Sequence, residues 1–444
     1  MADLRGICFA IASVVAIASV VAGGVLTSQE SLANGISVDE MTVRRLGDAF
    51  SGGAAETSDA SAVWYNPAAI TRLQGREVTG GLIAIPHETR FDGRVYYVED
   101  GDPVSEHNKT WTGTEVIPNF YSALPIADRW WLGVGVNSPW GTGTEFDKTW
   151  IGRYQSIKSE LLTVNLLTVV GWQVTDQLSL GAGLVTEYAN GKIERAIPAT
   201  DQDGRFKSDG DDTSFGFTFG LLYKPLPDWQ FGLNYRSVIK HTLEGKMEVR
   251  LPEEVAAMAG VSFERTGGRL KLDIPETFSI SAIHDLTPGW SIKADATWIR
   301  WSRFDDLVFE PKTTSGKLIK ESEVQVMDWH DTWRFALGTE YRLNPRWTVR
   351  AGVAYDDSPT PNHTATVDFA VGDYKAVSIG ATWEWSKGLE VDMALQHTWT
   401  TRRTIHEDVK DPFSSEEDKK IAIKAGGEAT NRINSIGVGL RWRF

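Results

Sequence analysis

The last twelve residues, "INSIGVGLRWRF" (Ile433–Phe444), alternate between apolar side chains and small or polar ones. A period of two predicts a β-strand with one apolar and one polar face. The apolar face would carry Ile436, Val438, Leu440, Trp442 and Phe444. A soluble sandwich also produces alternation, but it seldom ends its chain on an aromatic residue with two arginines on the opposite face. The C-terminal strand therefore favours a membrane barrel.

The same alternation recurs upstream, with aromatic residues at the ends of the apolar faces and small residues between them. It is seen in "WRFALGTEYRL" (333–343), "WTVRAGVAY" (347–355) and "LEVDMALQHTW" (389–399). This arrangement is typical of a transmembrane β-barrel with two aromatic girdles and a polar interior.

Short and long connections alternate along the chain. The short, turn-like ones lie near 124–130, 174–178, 224–229, 286–290, 343–347 and 385–389. The long polar ones span roughly 89–113, 138–160, 190–213, 241–269, 302–331, 357–373 and 400–431. Outer-membrane barrels sort their loops this way, with tight periplasmic turns and long outer loops. The sequence therefore predicts an all-β fold: a fourteen-stranded antiparallel transmembrane barrel over residues 76–444, in the bacterial outer membrane.

Residues 1–33 resemble a secretory signal peptide. Arg5 precedes an apolar run, and Ser31-Leu32-Ala33 offers small residues where a signal peptidase cleaves. The alternative is a retained anchor, because about 20 apolar residues can span a bilayer. The single cysteine, Cys8, lies in this segment, so disulfides and cysteine–zinc sites are excluded from the rest of the chain. The net charge of −14 argues against nucleic acid as a partner.

Residues 34–75 precede the first strand and do not alternate. They carry apolar residues such as Phe50, Trp64 and Ile70, which would not hang free in solvent. A barrel of this size encloses a water-wide lumen unless something fills it. We therefore expect an N-terminal hatch of short helices inside the barrel; the alternative is a disordered periplasmic tail.

The segment "LGDAFSGGAAETSDASAVWYNPAAITRLQG" (46–75) resembles the hatch of the FadL/TodX family of outer-membrane transporters. Other blocks also resemble that family: "SPWGTGTEF" (138–146), "GKIER" (191–195), "ADATWIRWSRF" (294–304) and "DTWRFALGTEYRLNPRWTVRAGVAYDDSPTP" (331–361). The resemblance implies uptake of long-chain fatty acids or hydrocarbons. It further implies an outer capture site, an apolar pocket in the lumen and a side opening at a kink in the third strand. The hatch motif beside the opening would be Asn66, Pro67 and Ala68.

The third strand, "WWLGVGVNSPWG" (130–141), carries its own signs of a kink. Gly133 and Gly135 weaken a strand interior, and Pro139 cannot donate to a ladder. These three residues are our candidates for a lateral gate. The alternative is that Pro139 merely ends the strand.

A carboxylate head group would require a lumenal cation. The candidate ligand-binding residues are Phe50, Lys192, Arg195, Arg334, Arg350, Asp356 and Asp357. Equally, the lumenal arginines could pair with acidic residues to stiffen the barrel, and the aspartates could cap a turn. The sequence leaves open whether the cargo is an acid or a neutral hydrocarbon.

An outer capture groove would combine one long loop with a short amphipathic helix at 252–263. Its candidate residues are Trp140, Trp150, Ile151, Val255 and Met258. The alternative is that these loops pack on the rim of the barrel.

Other functions have less support. A lipase or deacylase would need a serine and an orienting acid beside outward-facing His397, and neither is evident. A diffusion porin would not carry an apolar hatch. We expect no cofactor and no metal, although acidic loop residues 201–212 could bind calcium weakly. The expected partners are the hydrophobic ligand, membrane lipid with lipopolysaccharide, and the assembly machinery that recognises the strand ending at Phe444. We expect a monomer.

Overall fold

The computed structural model describes residues 35–97, 103–150, 152–198, 202–304, 306–313, 318–319, 322–366, 368–369, 372–410 and 421–444. The predicted signal segment, 1–33, lies outside the described residues and stays a prediction.

The described residues form a single antiparallel sheet of twenty strand segments. The segments are β1 (Glu77–Tyr97), β2 (Pro103–Ala127), β3 (Trp130–Asn137), β4 (Gly141–Glu145), β5 (Lys158–Gln173), β6 (Leu178–Ile197), β7 (Gly204–Leu226), β8 (Trp229–Arg236), β9 (Ile239–Arg250), β10 (Phe263–Ile274), β11 (Thr277–Thr287), β12 (Trp290–Ile299), β13 (Asp306–Pro311), β14 (Glu323–Val326), β15 (Thr332–Asn344), β16 (Trp347–Asp356), β17 (Tyr374–Ser386), β18 (Leu389–Thr400), β19 (Arg403–Lys410) and β20 (Ile421–Arg443).

These segments make fourteen wall strands. Five wall strands are interrupted and consist of two segments each: β3–β4, β8–β9, β10–β11, β12–β13 and β18–β19. The short β14 pairs with β13 above the wall. The barrel closes where β1 pairs with β20, from Glu77 opposite Arg443 to Tyr97 opposite Ile423. The predicted fourteen-stranded antiparallel barrel is confirmed.

Alternation decides which side chains meet the lumen. On β20, Val438 is 57% exposed on the outward face, whereas Ser435 and Arg441 are buried on the lumenal face. Outward apolar side chains on all the long strands form a continuous band, because a barrel in lipid must present hydrocarbon to hydrocarbon.

The six short turns join strands where they were predicted, whereas most long connections are shorter than predicted. For example, β1 continues to Tyr97 and β6 to Ile197, well into segments that we expected to be loops. Apolar and polar residues do not alternate strictly in these stretches, so the sequence pattern ends before the backbone ladder does. Backbone pairing continues above the membrane because it depends on neighbouring strands and not on an apolar face.

Among the described residues, six short helical segments lie outside the strands of the wall, and one of the six is a helix in an outer connection. The other five are α1 (Val43–Leu46), a 3₁₀ turn (Gly53–Ala55), α2 (Ala62–Tyr65), and 3₁₀ turns at Ala69–Arg72 and Trp301–Arg303. The helix in the outer connection is α3 (Glu253–Ala259), within the predicted 252–263. In the part of the chain that the structure describes, no helix is both long and apolar enough to cross a membrane.

Residues 35–75 lie inside the barrel, and most of their side chains are buried. They contact wall strands on all sides; α1 packs on β17, β18 and β20, and α2 on β3 and β5. We refer to this segment as the hatch. It follows that the apolar content of the N-terminal residues is explained by packing within the lumen.

Candidate functional site

The Asn66-Pro67-Ala68 motif joins the hatch to the wall. Asn66 is fully buried. Its Nδ2 donates to the carbonyl oxygens of Ala54 in the hatch and Leu221 in β7, and its Oδ1 accepts from the Ala68 N–H at 3.0 Å. Because Pro67 has no N–H, the chain turns here without leaving an unpaired donor in the lumen. One side chain therefore fixes both the turn of the hatch and its position on the wall.

The wall has no side chains where this motif docks. Gly171, Gly181 and Gly220 lie directly across from one another on β5, β6 and β7. A Cβ atom on Gly220 would lie 1.9 Å from Asn66 Oδ1, and one on Gly181 would lie 2.4 Å from the Ala68 nitrogen. Sequence reasoning missed this row. The signal was the set of small residues on polar strand faces, but only the register shows which glycines are neighbours.

Substituting Gly220 tests the docking row. We expect Gly220→Ala to lower the unfolding free energy by about 1–3 kcal/mol, because the added methyl group forces the hatch off the wall. Thermal unfolding in detergent and protease cleavage of the hatch would measure the effect. Gly289→Ala is the matched control, since its Cβ would meet nothing closer than 3.6 Å. Equal unfolding of the two variants would contradict close docking.

On the opposite side, buried ion pairs hold the hatch. Lys293 Nζ of β12 lies 2.9 Å from Asp48 and 2.7 Å from Glu56 of the hatch, and 3.1 Å from Glu340. Arg44 of the hatch pairs with Glu390 of β18 at 2.5 Å. Removing one member of such a pair leaves a buried charge uncompensated, which costs several kcal/mol. These ion pairs therefore hold residues 44–56 of the hatch on strands β12 and β18.

The third wall strand is interrupted beside the first residues of the hatch. β3 ends at Asn137 and β4 begins at Gly141. Among the described residues, β4 pairs with β5 alone, and the outer part of β2 pairs with β1 alone. The wall thus has a break between β2 and β4.

The first residues of the hatch occupy this break. The Val38 N–H donates to the Pro139 oxygen at 2.8 Å, and the Gly141 N–H donates to the Ile36 oxygen at 2.8 Å. Ser37 therefore faces Trp140 in an isolated antiparallel bridge. We call Ile36–Val38 the hatch strand. It satisfies backbone groups that the interrupted wall leaves free.

Only Pro139 of the three predicted gate residues lies in the break. β3 keeps its ladder through Gly133 and Gly135, paired on both sides. A Cβ atom on Gly133 would lie 2.5 Å from Val63 of α2, and one on Gly135 would lie 2.7 Å from Tyr121. These glycines make room for neighbouring side chains, and the interruption of the strand begins after Asn137. Their role in a lateral gate stays a prediction.

Aromatic rings cover the outer end of the break. Phe146 and Trp150, from the connection after β4, pack against Trp111 of β2 with ring centroids 4.7 and 5.2 Å away. Trp150 also meets Phe91 of β1 edge-on at 6.1 Å. Ile151 lies outside the described residues. Side-chain packing thus replaces the missing ladder here.

Two cavities adjoin the hatch strand. The outer one has an enclosed volume of about 50 Å³ and is lined by Ile36 together with Leu243, Leu270 and Phe309. The inner one has an enclosed volume of about 80 Å³ and is lined by Ser37, Val38, Pro139 and Trp140 among others. The Trp140 ring packs edge-on against Trp301 at 5.7 Å. Hatch strand and Trp140 together lie between the two cavities.

A carboxyl group follows the hatch strand directly. Glu40 is buried, and its Oε1 accepts from the Ser435 hydroxyl at 2.9 Å. Burial, with the neighbouring Asp39 charge, raises the pKa of Glu40 to about 7. Near neutral pH this carboxyl is therefore partly protonated, which reduces the cost of keeping it beside Asp39.

Most of the predicted lumenal cations have protein partners. Arg334 donates to Asp39 at 2.9 Å, and Arg350 donates to Glu340 at 2.7 Å. Arg195 lies over the Phe206 ring at 5.0 Å. Lys192 was expected to face inward, and that expectation is wrong. It is 47% exposed on the outward face, where it pairs with Glu160, because its even number on β6 gives it outward parity.

The cation that sequence reasoning missed is Arg236, the last residue of β8. It lines the inner cavity, its guanidinium lies 3.7 Å from the Trp64 ring centroid, and it donates to the Trp64 oxygen. Among the described residues no carboxylate lies within ion-pair distance, and its buried Nε has no hydrogen-bond partner. No sequence motif includes Arg236. Its position at the end of β8, where the seventh wall strand is interrupted, could have indicated it.

Three other predicted ligand-binding residues divide between two places. Phe50 and Asp356 lie near Arg334, and Asp357 lies at the rim of the barrel. Phe50 lines the inner cavity, 5.6 Å from the Arg334 guanidinium. Asp356 is buried opposite Arg334 in the β15–β16 register. The Asp357 side chain instead accepts from the Tyr355 hydroxyl at 3.3 Å. Phe50 thus lies at the inner cavity, whereas the side chain of Asp357 is turned to the rim.

The candidate residues of the predicted capture groove lie in more than one place. Trp140 lies at the break deep in the barrel and Trp150 in the separate outer aromatic cluster. Val255 is buried under α3, and the side chain of Met258 is not described. Within the described ranges, no His, Cys, Asp or Glu cluster is arranged to hold a metal ion.

A closed barrel with an outward apolar band, an internal hatch and a wall break beside an apolar cavity defines a class: outer-membrane transport barrels. The comparisons with known proteins agree. The family described as outer membrane protein transport protein (OMPP1/FadL/TodX) matches residues 24–444. The chain belongs to this family.

Individual relatives and structures fit that assignment. The chain is 28% identical over 402 residues to the long-chain fatty acid transport protein of Escherichia coli O6:H1, which covers 84% of this chain and 88% of the relative. A Pseudomonas aeruginosa FadL homologue has the same fold, with a TM-score of 0.83 and 23% identity over 92% of this chain and all of that one. The Ralstonia pickettii toluene transporter TbuX is more distant, with a TM-score of 0.62 and 16% identity over 91% of this chain and 99% of that one.

Proposed function

We propose that this protein takes up long-chain fatty acids and releases them sideways into the outer membrane. Cargo enters the outer cavity, passes the hatch strand to the inner cavity, and leaves between β2 and β4. The observation that carries the proposal is the hatch strand itself. It completes the interrupted wall with two hydrogen bonds, Val38 to Pro139 and Gly141 to Ile36.

The route suits the chemistry of the cargo. Each methylene group that is buried contributes about 0.8 kcal/mol, so a long chain is held by its length. Hydrocarbon gains nothing from a watery path, whereas a lateral exit keeps it in an apolar medium. Two backbone hydrogen bonds contribute only about 1 kcal/mol each, which a bound chain that displaces the hatch strand can offset.

The similar proteins are named for different cargoes. One is a long-chain fatty acid transport protein, and another is a toluene transporter. Arg236 supports the acid. A buried guanidinium without a carboxylate partner is costly unless an anion joins it. Bidentate pairing with a carboxylate would satisfy Arg236, which lines the inner cavity. Toluene has no group to offer it.

Replacing Arg236 tests the cargo. We expect Arg236→Met to lower oleate uptake at least tenfold and leave toluene uptake unchanged, while Arg236→Lys keeps part of the oleate uptake. The measurement is uptake by cells lacking other routes, with and without the protein. Arg265→Met, an outward arginine paired with Glu248, is the control.

Arg236 also touches the Trp64 oxygen, so a purely structural role must be distinguishable. If Arg236→Met only loosened the hatch, single-channel conductance would rise and both cargoes would be affected. Loss of toluene uptake as great as that of oleate would contradict a head-group role. No uptake of either compound by the unaltered protein would overturn the proposed function itself.

We further propose that the protein works as a monomer and has no enzymatic activity. One chain closes its own barrel, from β1 to β20. His397, the candidate catalytic histidine, lies on the outward face with its Nδ1 2.8 Å from Asn434 Oδ1 and its ring beside Trp399. We also propose that the β20 strand ending at Phe444 is what the assembly machinery recognises.

A further inference from the structure

An unusual charged patch lies on the outward face of the barrel near its closure. Arg432 of β20, Trp399 of β18 and Lys375 of β17 are direct cross-strand neighbours, with Trp399 in the middle. Arg432 and Lys375 are exposed. Within the described part of the chain, neither makes a hydrogen bond or an ion pair. Two free cations thus flank one aromatic ring.

The patch lies at a defined height on the barrel. Val377 lies two residues nearer the periplasm than Lys375 on β17, and His397 lies two residues nearer than Trp399 on β18. Leu395, a further two residues along β18, belongs to the apolar band. Leu395 and Val377 are about half exposed and face lipid. Because long connections mark the outer side of the barrel, the patch lies where the outer leaflet changes from hydrocarbon to head groups.

A recess adjoins the patch. It has an open volume of about 1490 Å³ and its walls include Trp399, Arg432, Arg402, Arg90, Thr110 and Thr430. The recess exists because the thirteenth wall strand breaks between Thr400 and Arg403. Thr400 and Asn431 exchange hydrogen bonds across that break. Such an irregularity redirects side chains out of the regular ladder.

Two other arginines of the recess, Arg90 and Arg402, already have carboxylate partners. Arg90 pairs with Glu88 at 2.7 Å, and Arg402 pairs with Glu428 at 2.8 Å. Glu88 also lies directly across from Arg432 in the β1–β20 register, and Asp92 and Glu428 line the recess. Among the described residues, Arg432 and Lys375 are nevertheless the cations of the patch that make no ion pair, on a protein whose overall charge is −14. A local positive site on an acidic protein favours an anionic partner at that point and no other.

We propose that Arg432 and Lys375 bind a phosphate of lipopolysaccharide, with its sugar head group in the recess. A guanidinium suits bidentate contact with phosphate, and an ammonium adds a point charge. Threonine hydroxyls in the recess match sugar hydroxyls. A glycerophospholipid offers a phosphate but no sugar for a recess of this size. The acyl chains would lie on the apolar band below, beside Leu395 and Val377.

The test compares purified, folded protein with the double variant Arg432→Gln/Lys375→Gln. Binding of lipopolysaccharide, of the same lipid after dephosphorylation, and of phosphatidylglycerol would be measured in detergent by native mass spectrometry. We expect the double variant to bind lipopolysaccharide at least tenfold more weakly, and added salt to weaken binding to the unaltered protein. Dephosphorylation should have a similar effect on the unaltered protein.

The control is Arg269→Gln/Lys312→Gln, which removes two outward cations that are already paired with Glu310 and Glu244. It should bind lipopolysaccharide as the unaltered protein does. Both pairs are exposed, so the barrel should fold in every variant, and resistance to unfolding at room temperature in detergent checks this. Equal binding by the double variant, indifference to dephosphorylation, or equal binding of phosphatidylglycerol would each overturn the proposal.

Discussion

Deleting residues 34–75 is expected to turn the closed barrel into an open aqueous pore. The wall around the hatch is lined by charged side chains such as Lys293, Arg350 and Asp392, which are buried only because the hatch covers them. Without the hatch they would be hydrated, and water would fill a lumen of this width. We expect single-channel conductance to rise at least tenfold, and cells to become permeable to small polar antibiotics.

Stability limits how the deletion is tested. Lys293 would lose Asp48 and Glu56 and keep Glu340 as a partner. The barrel ladder would remain except for the two hydrogen bonds of the hatch strand to Pro139 and Gly141, because the wall strands otherwise pair with one another. Gly220→Ala, which displaces the hatch without removing it, gives a milder companion variant with a smaller rise in conductance. Unchanged conductance after the deletion would mean that the hatch does not obstruct the lumen.

A disulfide between the hatch strand and the break is expected to stop uptake reversibly. Ser37 and Trp140 face each other in an antiparallel bridge at a position without mutual hydrogen bonds. Their Cα atoms are therefore about 4.5 Å apart, which a disulfide can span. The sole native cysteine, Cys8, lies in the predicted signal segment, so Ser37→Cys/Trp140→Cys would have no competing thiol after cleavage.

Oxidation would hold the hatch strand in the wall whatever cargo is bound. We expect oleate uptake to fall by more than tenfold in the oxidised double variant and to return on reduction. Each single cysteine variant controls for the loss of the native side chain, Trp140 above all. Uptake that is equally fast in the oxidised and reduced forms would mean that cargo leaves without moving the hatch strand.

The wall could be predicted because its information is local. Strict alternation in segments such as 433–444 is visible without any partner strand, and the six tight turns lie between such segments. Fourteen strands follow from counting. The ends of the strands were misjudged, since the backbone ladder continues to Tyr97 and Ile197 through stretches in which apolar and polar residues no longer alternate strictly.

The site was predicted only in part. Asn66, Pro67 and Pro139 were recognisable because proline and its neighbours limit the backbone. Lys192 was expected to face the lumen, which the structure contradicts, because composition does not say which face of a strand a lysine takes. Nor does composition say which side chain meets a glycine such as Gly133. Arg236 was missed, since a sequence does not show which arginine has no carboxylate partner in the folded barrel.

The sequence by itself determined a lipid-facing barrel, its strand number and the presence of a filled lumen, because side-chain periodicity and loop length are properties of a single segment. The tertiary structure alone decided that the hatch strand completes the broken wall and that a row of glycines seats Asn66. It also decided that, among the described residues, Arg236, Arg432 and Lys375 have no carboxylate within ion-pair distance. These facts depend on the register between strands far apart in the chain. Register is fixed when the barrel closes, and no single segment contains it.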